Sequence, residues 1–286
     1  MPNPRLRLVV TGTGPSSIGL ATARALADAG HEVLTSTRST PVDGFAWHPL
    51  DLADRASVAA FAGWVRDRGP LDVLVNNAGV HLDLRNTWKQ PQLVDGHEVH
   101  WRTNYLGTVD LTRALLPALL ERAAETGDAR VVHVVSKLHA RGRTDAYFSQ
   151  FGDRYNSWDA YGTSKLALVQ DAAGLAEEYG AHGLRAYSLH PGAVATGISA
   201  KGMESSPVLK RLHAVAAPLE KVFLKSPETG ARTSVLCATD PDARSGYYAD
   251  QRLKEPASQA GDLAARGALW TRTETWLTEE TAGETA

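Results

Sequence analysis

A single cysteine, two methionines and a formal net charge of only −2 at pH 7 are the scarcities of this 286-residue chain. One thiol excludes an internal disulfide, which suits a reducing compartment. That thiol, Cys237, lies in the apolar run Ser234-Val235-Leu236-Cys237-Ala238 and reads as an inert core position. The 30 basic and 32 acidic residues are scattered, so no cationic face recommends itself to nucleic acid or anionic lipid. No stretch approaches the ~20 apolar residues of a membrane span. Met1-Pro2-Asn3-Pro4-Arg5 runs into an apolar strand without the apolar core of a signal peptide. The expectation is a soluble, cytoplasmic protein with no nucleic-acid or membrane partner. Hydrophobic residues make up 43% of the chain, enough for a substantial core. With no repeat or linker visible, residues 1–286 read as one domain, with a substrate-binding lid region at about 197–225.

Residues 6–11 form an apolar run that ends in Gly12-Thr13-Gly14-Pro15-Ser16-Ser17-Ile18-Gly19. An alanine-rich helical pattern follows over 20–29 and a second strand over 31–37. Strand, glycine-rich turn, helix and strand make the β-α-β opening of a doubly wound α/β sheet, whose turn and helix N-terminus can receive a pyrophosphate. Pro41, Gly44 and Pro49 leave no room for a crossover helix before the short run 45–48. Either the link there is a short loop or the third strand is poorly formed. A helix over 53–68 stops at Gly69-Pro70, and a buried strand over 71–75 runs into Asn76-Asn77-Ala78-Gly79. Residues 80–94 read as irregular. A long helix is expected over 95–124, carrying Asn104 and bending or breaking near Pro117. A strand over 130–135 ends at Ser136-Lys137, an aromatic loop spans 139–158, and a further strand covers 184–189. A helix over 227–239, a short strand over 247–249 and one docked helix within 257–277 complete the pattern.

The chemistry concentrates at Tyr161-Gly162-Thr163-Ser164-Lys165. A spacing of four residues puts a phenol and an ammonium on one helix face. A phenol titrates near pH ~10 when free, and a cation held beside the phenolate lowers that value by roughly 3 units, about 4 kcal/mol, which poises it for proton transfer near neutrality. His97 and His100 are three apart in a predicted helix, but no carboxylate or cysteine set completes a metal site, and none is expected.

The glycine turn, Asp51-Leu52, Asn76-Asn77-Ala78-Gly79, Asn104, Ser136, Tyr161 with Lys165, and Pro191-Gly192 with Thr196 follow the order and spacing of the short-chain dehydrogenase/reductase family. The chain resembles that family over nearly its whole length. Within it, the sequence looks most like the retinol-dehydrogenase-like branch. That likeness rests on Leu50-Asp51-Leu52-Ala53 with Ser57-Val58 and Phe61, and on Asp95-Gly96-His97-Glu98 before Asn104-Tyr105-Leu106-Gly107. The tract Val134-Val135-Ser136-Lys137-Leu138 and the ending Gly246-Tyr247-Tyr248 with Leu253 also fit.

The resemblance implies a Rossmann-type doubly wound parallel sheet of about seven strands, and hydride transfer between a nicotinamide and a ketone, aldehyde or secondary alcohol. Tyr161 would be the general acid/base. Lys165 would lower its pKa and bond the nicotinamide ribose, Ser136 would polarise the substrate oxygen, and Asn104 would hold a water that relays protons. Gly12, Thr13, Gly14, Ser17, Ile18 and Gly19 would cradle the pyrophosphate. Asp51, beside Leu52, would bond the adenine amino group, and Asn77, Ala78 and Gly79 would line the adenosine ribose. Pro191, Gly192 and Thr196 complete the implied cofactor contacts, while His139 and Trp158 are candidates to touch substrate. The glycine loop departs from the family pattern: it is one residue longer, and serine replaces its middle glycine. Thr37 and Arg38 stand where an acidic residue would select NAD, and arginine suits a phosphate, so NADP(H) is expected over NAD(H). Two other readings keep the same fold: a catalytically silent NADP-binding regulatory or scaffold protein, and an epimerase or cyclase with no net redox. Family analogy suggests a homodimer or homotetramer.

Overall fold

The computed structural model describes residues 5–149, 151, 155–192 and 225–283, with backbone only from 280. Seven parallel strands form its centre: β1 (Arg7–Thr11), β2 (Glu32–Thr37), β3 (Ala46–Pro49), β4 (Val73–Asn76), β7 (Ala129–Val134), β8 (Leu184–His190) and β9 (Gly246–Ala249). An eighth, β10 (Arg252–Leu253), pairs antiparallel to β9 at one edge, giving the order β10-β9-β8-β7-β4-β1-β2-β3. Helices cover both faces, so the strands are apolar on both sides. Leu8 and Val10 of β1 join one core with Ala23 and Leu26 of α1 (Ile18–Asp28) and Cys237 of α5 (Pro227–Thr239). Val9, between them, joins the other core with Val58 and Phe61 of α2 (Arg55–Arg66), Leu111 and Leu115 of α3 (Gly107–Thr126) and Leu175 of α4 (Ser157–Tyr179). This period-two alternation is the strand geometry read on a sheet buried from both sides. A last helix, α6 (Leu263–Gly283), packs Leu269 and Trp276 into a third cluster.

The chain leaves β1 for β2 and β3 on one side, then returns to β4 on the other. β1 and β4 are therefore neighbours whose connections diverge, and a crevice opens at their C-terminal ends. The third strand is formed, and a loop over residues 38–45 makes the parallel link with no helix. Leu34 faces Ala46 and Thr37 faces Pro49 in that ladder, so the loop need climb back along only a four-residue strand. At roughly 3.3 Å per residue the loop reaches about twice that strand's length.

Two expectations are corrected between residues 80 and 124. Leu93–Val94 (β5) pairs antiparallel with His97–Glu98 (β6) across Asp95-Gly96, both at positive φ (50° and 73°). This is the Asp-Gly two-residue turn that favours hairpins, and it delays the expected helix. A π-helical turn, Trp101–Leu106, comes next, and only then does α3 begin. The helix also does not break at Pro117, which lies inside it, and it runs on to Thr126. In the 257–277 tail the single expected helix divides into a 3-10 turn, Ser258–Gly261, and α6. No helix among the described residues is long and apolar enough to cross a membrane.

Candidate active site

The glycine turn is built by contacts between β1 and β4. Thr11 Oγ1 accepts from the backbone N–H groups of Asn77 and Ala78, both at 3.0 Å. Asn77 Nδ2 donates to the carbonyls of Thr11 (2.8 Å) and Gly12 (3.1 Å). Gly12 has φ +71°, and a Cβ there would stand 2.7 Å from Ala78 Cα; one on Gly19 would stand 2.4 Å from Asn77 Nδ2. These two positions bring the turn, the start of α1 and the Asn77-Ala78 segment into contact. The serine that departs from the family pattern has work of its own: Ser17 Oγ accepts from Leu20 N (3.0 Å) as the N-cap of α1 and donates to Gly12 O (3.2 Å). Within this longer turn Ser16 adopts φ +56°. Thr13 is fully buried and donates from both N and Oγ1 to Ser36 O. Its side chain thus anchors the turn to β2. Space above Gly14 is open, and the first turn of α1, starting at Ile18, carries no acidic residue.

Along the crevice, Asp51 Oδ1 accepts from Ala53 N (2.9 Å), closing a local turn, while Asp54 caps α2. Leu52 is buried, and its carbonyl accepts from Arg102 Nη1 (3.0 Å). Arg38 is exposed just beyond the end of β2.

At the other end, Asn104 sits in the π-helical turn with both ends of its amide engaged by one residue. Its Oδ1 accepts from Val80 N (2.7 Å) and its Nδ2 donates to Val80 O (2.8 Å). A Cβ on Gly79 would lie 3.1 Å from Asn104 Oδ1 and 3.2 Å from Lys165 Nζ, so the loop after β4 passes directly over both. Lys165 is 4% exposed and donates to Val134 O (3.3 Å), with its Nζ 5.7 Å from the centre of the Tyr161 ring. Ser136 starts a 3-10 turn, Lys137–Arg141, where its Oγ accepts from Leu138 N (3.2 Å), and it is near enough to the Tyr161 phenol to favour the phenolate. Gly162 permits that approach, since a Cβ there would meet Leu138 O at 2.6 Å. Asn104, Ser136, Tyr161 and Lys165 therefore share one neighbourhood with Gly79.

The electrostatics differ from the sequence expectation. Burial pushes the Tyr161 phenol up to about 12, opposed by the nearby Ser136 side chain, and burial pushes Lys165 down to about 8. Lys165 is not among the causes acting on the phenol: within the protein's own atoms, withdrawal from water outweighs attraction between the two groups.

Sequence reasoning missed His81. Its ring stacks on Tyr161 at 4.0 Å between centroids and 10° from parallel, and it meets Trp158 edge-on at 4.8 Å. Position directly after Asn76-Asn77-Ala78-Gly79-Val80 was the available signal. Trp158 donates from Nε1 to Leu84 O (3.1 Å) and walls the same side. His139 has both nitrogens in use, Nδ1 with Ser136 O (2.8 Å) and Nε2 accepting from Ala257 N (3.0 Å), which leaves its ring carbons for any contact with substrate. His97 and His100 do not share a helix face. His97 lies in β6, and His100 is buried with Nδ1 on Glu98 at 2.7 Å. Gly192, at φ +89°, donates to His190 Nδ1 just beyond Pro191. Thr196 and nearly all of 197–225 lie outside the described residues. An open surface depression bounded by Leu120, Ala123, Tyr179 and His182 lies near the N-terminal ends of β7 and β8, opposite this site.

Residues 7–206 match the family model described as short chain dehydrogenase. The chain belongs to the short-chain dehydrogenase family. It is 36% identical over 282 residues to a "Probable oxidoreductase" of Streptomyces lividans, covering 91% of this chain and 90% of that one. It is 33% identical to retinol dehydrogenase 12 of Mus musculus, covering 92% and 83% respectively, which places it with the retinol-dehydrogenase-like branch. Among solved structures, a short-chain dehydrogenase from Streptomyces avermitilis matches with a TM-score of 0.59 at 24% identity, over 99% of this chain and 100% of that one, a likeness of fold.

As a short-chain dehydrogenase the protein is an NAD(P)-dependent oxidoreductase, and the crevice fits a dinucleotide. Side chains at Gly12 and Gly19 would fill the turn, and the α1 N-terminus offers N–H groups with no carboxylate in the way. The buried ammonium of Lys165 beside Gly79 offers donors at the far end.

Proposed function

We propose that this short-chain dehydrogenase is an NADP(H)-dependent reductase of ketones and aldehydes that also oxidises the matching secondary alcohols, with Tyr161 as general acid/base. The observation that carries the reading is the convergence of Tyr161, Ser136, Lys165 and Asn104 around Gly79 at the C-terminal ends of β4 and β7. When bound, the reduced nicotinamide supplies the hydride to the carbonyl carbon. Ser136 donates a hydrogen bond to the carbonyl oxygen, and Tyr161 gives that oxygen its proton. Lys165 binds the ribose and faces the phenol ring, so negative charge forming on Tyr161 meets an ammonium. Asn104 spends its side chain on Val80, so it positions the Gly79-Val80 segment, and a relay water would have to use its backbone carbonyl. The turn over residues 12–19, with Asp51, Leu52, Asn77, Ala78, Pro191, Gly192 and Thr196, would hold the rest of the dinucleotide. Arg38, exposed just beyond the end of β2, where Thr37 stands in place of an acidic residue, supports the choice of NADP(H). The compartment proposed is the cytoplasm and the organisation a single domain.

The test is a panel of carbonyls and alcohols with each nicotinamide, followed by absorbance. Tyr161→Phe should lose on the order of 10²–10⁴-fold in kcat/KM while still binding NADPH. Loss of binding along with turnover would assign Tyr161 a structural role, and a lower KM for NADH than NADPH would overturn the NADP assignment. Product formation without any change in nicotinamide absorbance would favour epimerisation or cyclisation instead.

A further inference from the structure

Nε2 of His81 is buried and has no hydrogen-bond partner among the described residues. Nearly all buried polar atoms are paired, and leaving one unpaired costs about 1–3 kcal/mol. The ring is nonetheless fixed from both sides. Val80 before it is held at N and O by Asn104. Leu82 after it donates to His100 Nε2 (2.9 Å). His100 in turn donates from Nδ1 to Glu98, whose buried carboxylate also accepts from Tyr155 OH (2.8 Å) and Trp101 N (2.9 Å). With Nε2 of His100 accepting and Nδ1 on Glu98, both nitrogens of that ring are used and the support is satisfied. A position anchored at both neighbours, stacked flat on Tyr161 and braced by Trp158, holds one polar atom in reserve.

We propose that His81 is a substrate-binding, specificity-determining residue whose Nε2 hydrogen-bonds a hydroxyl on the carbon next to the reacting carbonyl, so that α-hydroxy ketones are the preferred substrate class. This rests on Tyr161 serving the reacting oxygen. The His81 and Tyr161 rings are nearly parallel with their centres 4.0 Å apart, so a substrate whose oxygen is served by Tyr161 passes within a few ångströms of the imidazole. A polar substituent on the adjacent carbon is the group assigned to its unpaired nitrogen. The groups facing His81 are His100, Lys165, Asp83, Trp158 and Tyr161. Burial, with His100 and Lys165, pushes its pKa down to about 4 against the pull of Asp83, so the ring is neutral at pH 7. A hydroxyl satisfies either neutral tautomer because it both donates and accepts, whereas a second carbonyl satisfies only one.

The experiment compares kcat/KM for matched pairs, butan-2-one with 3-hydroxybutan-2-one and cyclohexanone with 2-hydroxycyclohexanone, in the wild type, His81→Phe and His81→Gln. The wild type should favour each hydroxy ketone by about tenfold or more, the worth of one hydrogen bond. His81→Phe, which keeps a flat ring without nitrogen, should bring the ratio near unity, and His81→Gln should restore part of it. Ketone turnover by the wild type without that preference, or a preference that survives His81→Phe, overturns the proposal and leaves the reductase reading standing. No carbonyl or alcohol turnover at all brings down both. Should the variants misfold, the 15N shift of His81 Nε2 in labelled wild type with bound dinucleotide decides. It should move with 3-hydroxybutan-2-one and not with butan-2-one, and an equal response to both overturns the proposal.

Discussion

Replacing Lys165 with Met should make the protein more stable and inactive at once. The side chain is 4% exposed, and among the described residues its ammonium has one hydrogen-bond acceptor, Val134 O at 3.3 Å. The fall from an ordinary 10.5 to about 8, at roughly 1.4 kcal/mol per pH unit, means that burying the charged form costs about 3 kcal/mol. Methionine removes that cost, fills similar volume and forfeits one hydrogen bond worth about 1 kcal/mol, leaving a gain of about 2 kcal/mol near pH 7. The sign with pH follows from linkage. Between about 8 and 10.5 the unfolded chain holds this proton more tightly than the folded one, so wild-type stability rises with pH across that window. The advantage of Lys165→Met should therefore be largest below pH 8 and shrink as pH rises toward 10.5, where the lost hydrogen bond remains. Urea unfolding of both proteins from pH 6 to 10 reads the difference, and groups titrating alike in both cancel. A variant less stable than wild type at pH 7, or a difference that stays flat with pH, would refute the premise that a desolvated charge is stored at this position.

A backbone collision should govern Gly107→Ala: the added Cβ would lie 1.9 Å from the Leu52 carbonyl, so α3 must pull away from the Asp51-Leu52 segment, with a loss of about 3 kcal/mol in denaturant unfolding. A change within experimental error would show that the helix slides freely there. In Arg113→Leu, Asp171 loses its main charge partner while staying buried between α3, α4 and His133 of β7. The expected cost is about 3–5 kcal/mol at pH 7. Burial raises the Asp171 pKa, but Arg113 and His133 together hold it down at about 2, so this pair's stabilisation is present above the ordinary carboxylate value of 3.8 and is lost as pH falls through 2. An acid-unfolding curve that is unchanged in the variant would count against this assignment.

The periodic parts of the fold were legible because their physics is local. Strands buried on both faces read as unbroken apolar runs, and the β1 turn carries glycine where α1 and Asn77 crowd it. Tyr161 and Lys165 were legible through their spacing and Ser136 and Asn104 through the family resemblance, and the structure brings the four together. The stretch from 95 to 106 misled because its apolar residues also suit a helix, whereas Asp95-Gly96 sets a hairpin turn and the chain then winds as a π-helical turn that exposes the Asn104 amide to Val80. The expected lowering of the Tyr161 pKa failed for a different reason. Residue spacing fixes which groups are near, but the depth of burial that opposes charge is set by every element packed around them. His81 escaped notice because one histidine after a strand carries no periodicity, and its importance arises from a ring contact across 80 residues of chain.

The His139 imidazole spans Ser136 O and Ala257 N, joining the shoulder of Ser136, the serine proposed to polarise the substrate oxygen, to the lead-in of α6. The C-terminal segment is thereby a mechanical strut of the reaction chamber as well as a cover on α4. Grafting that segment from one relative onto another should shift the footing of Ser136 while the residues proposed to meet the carbonyl stay the same, so under the proposed mechanism reactivity would be tuned from a place that contains none of its chemistry.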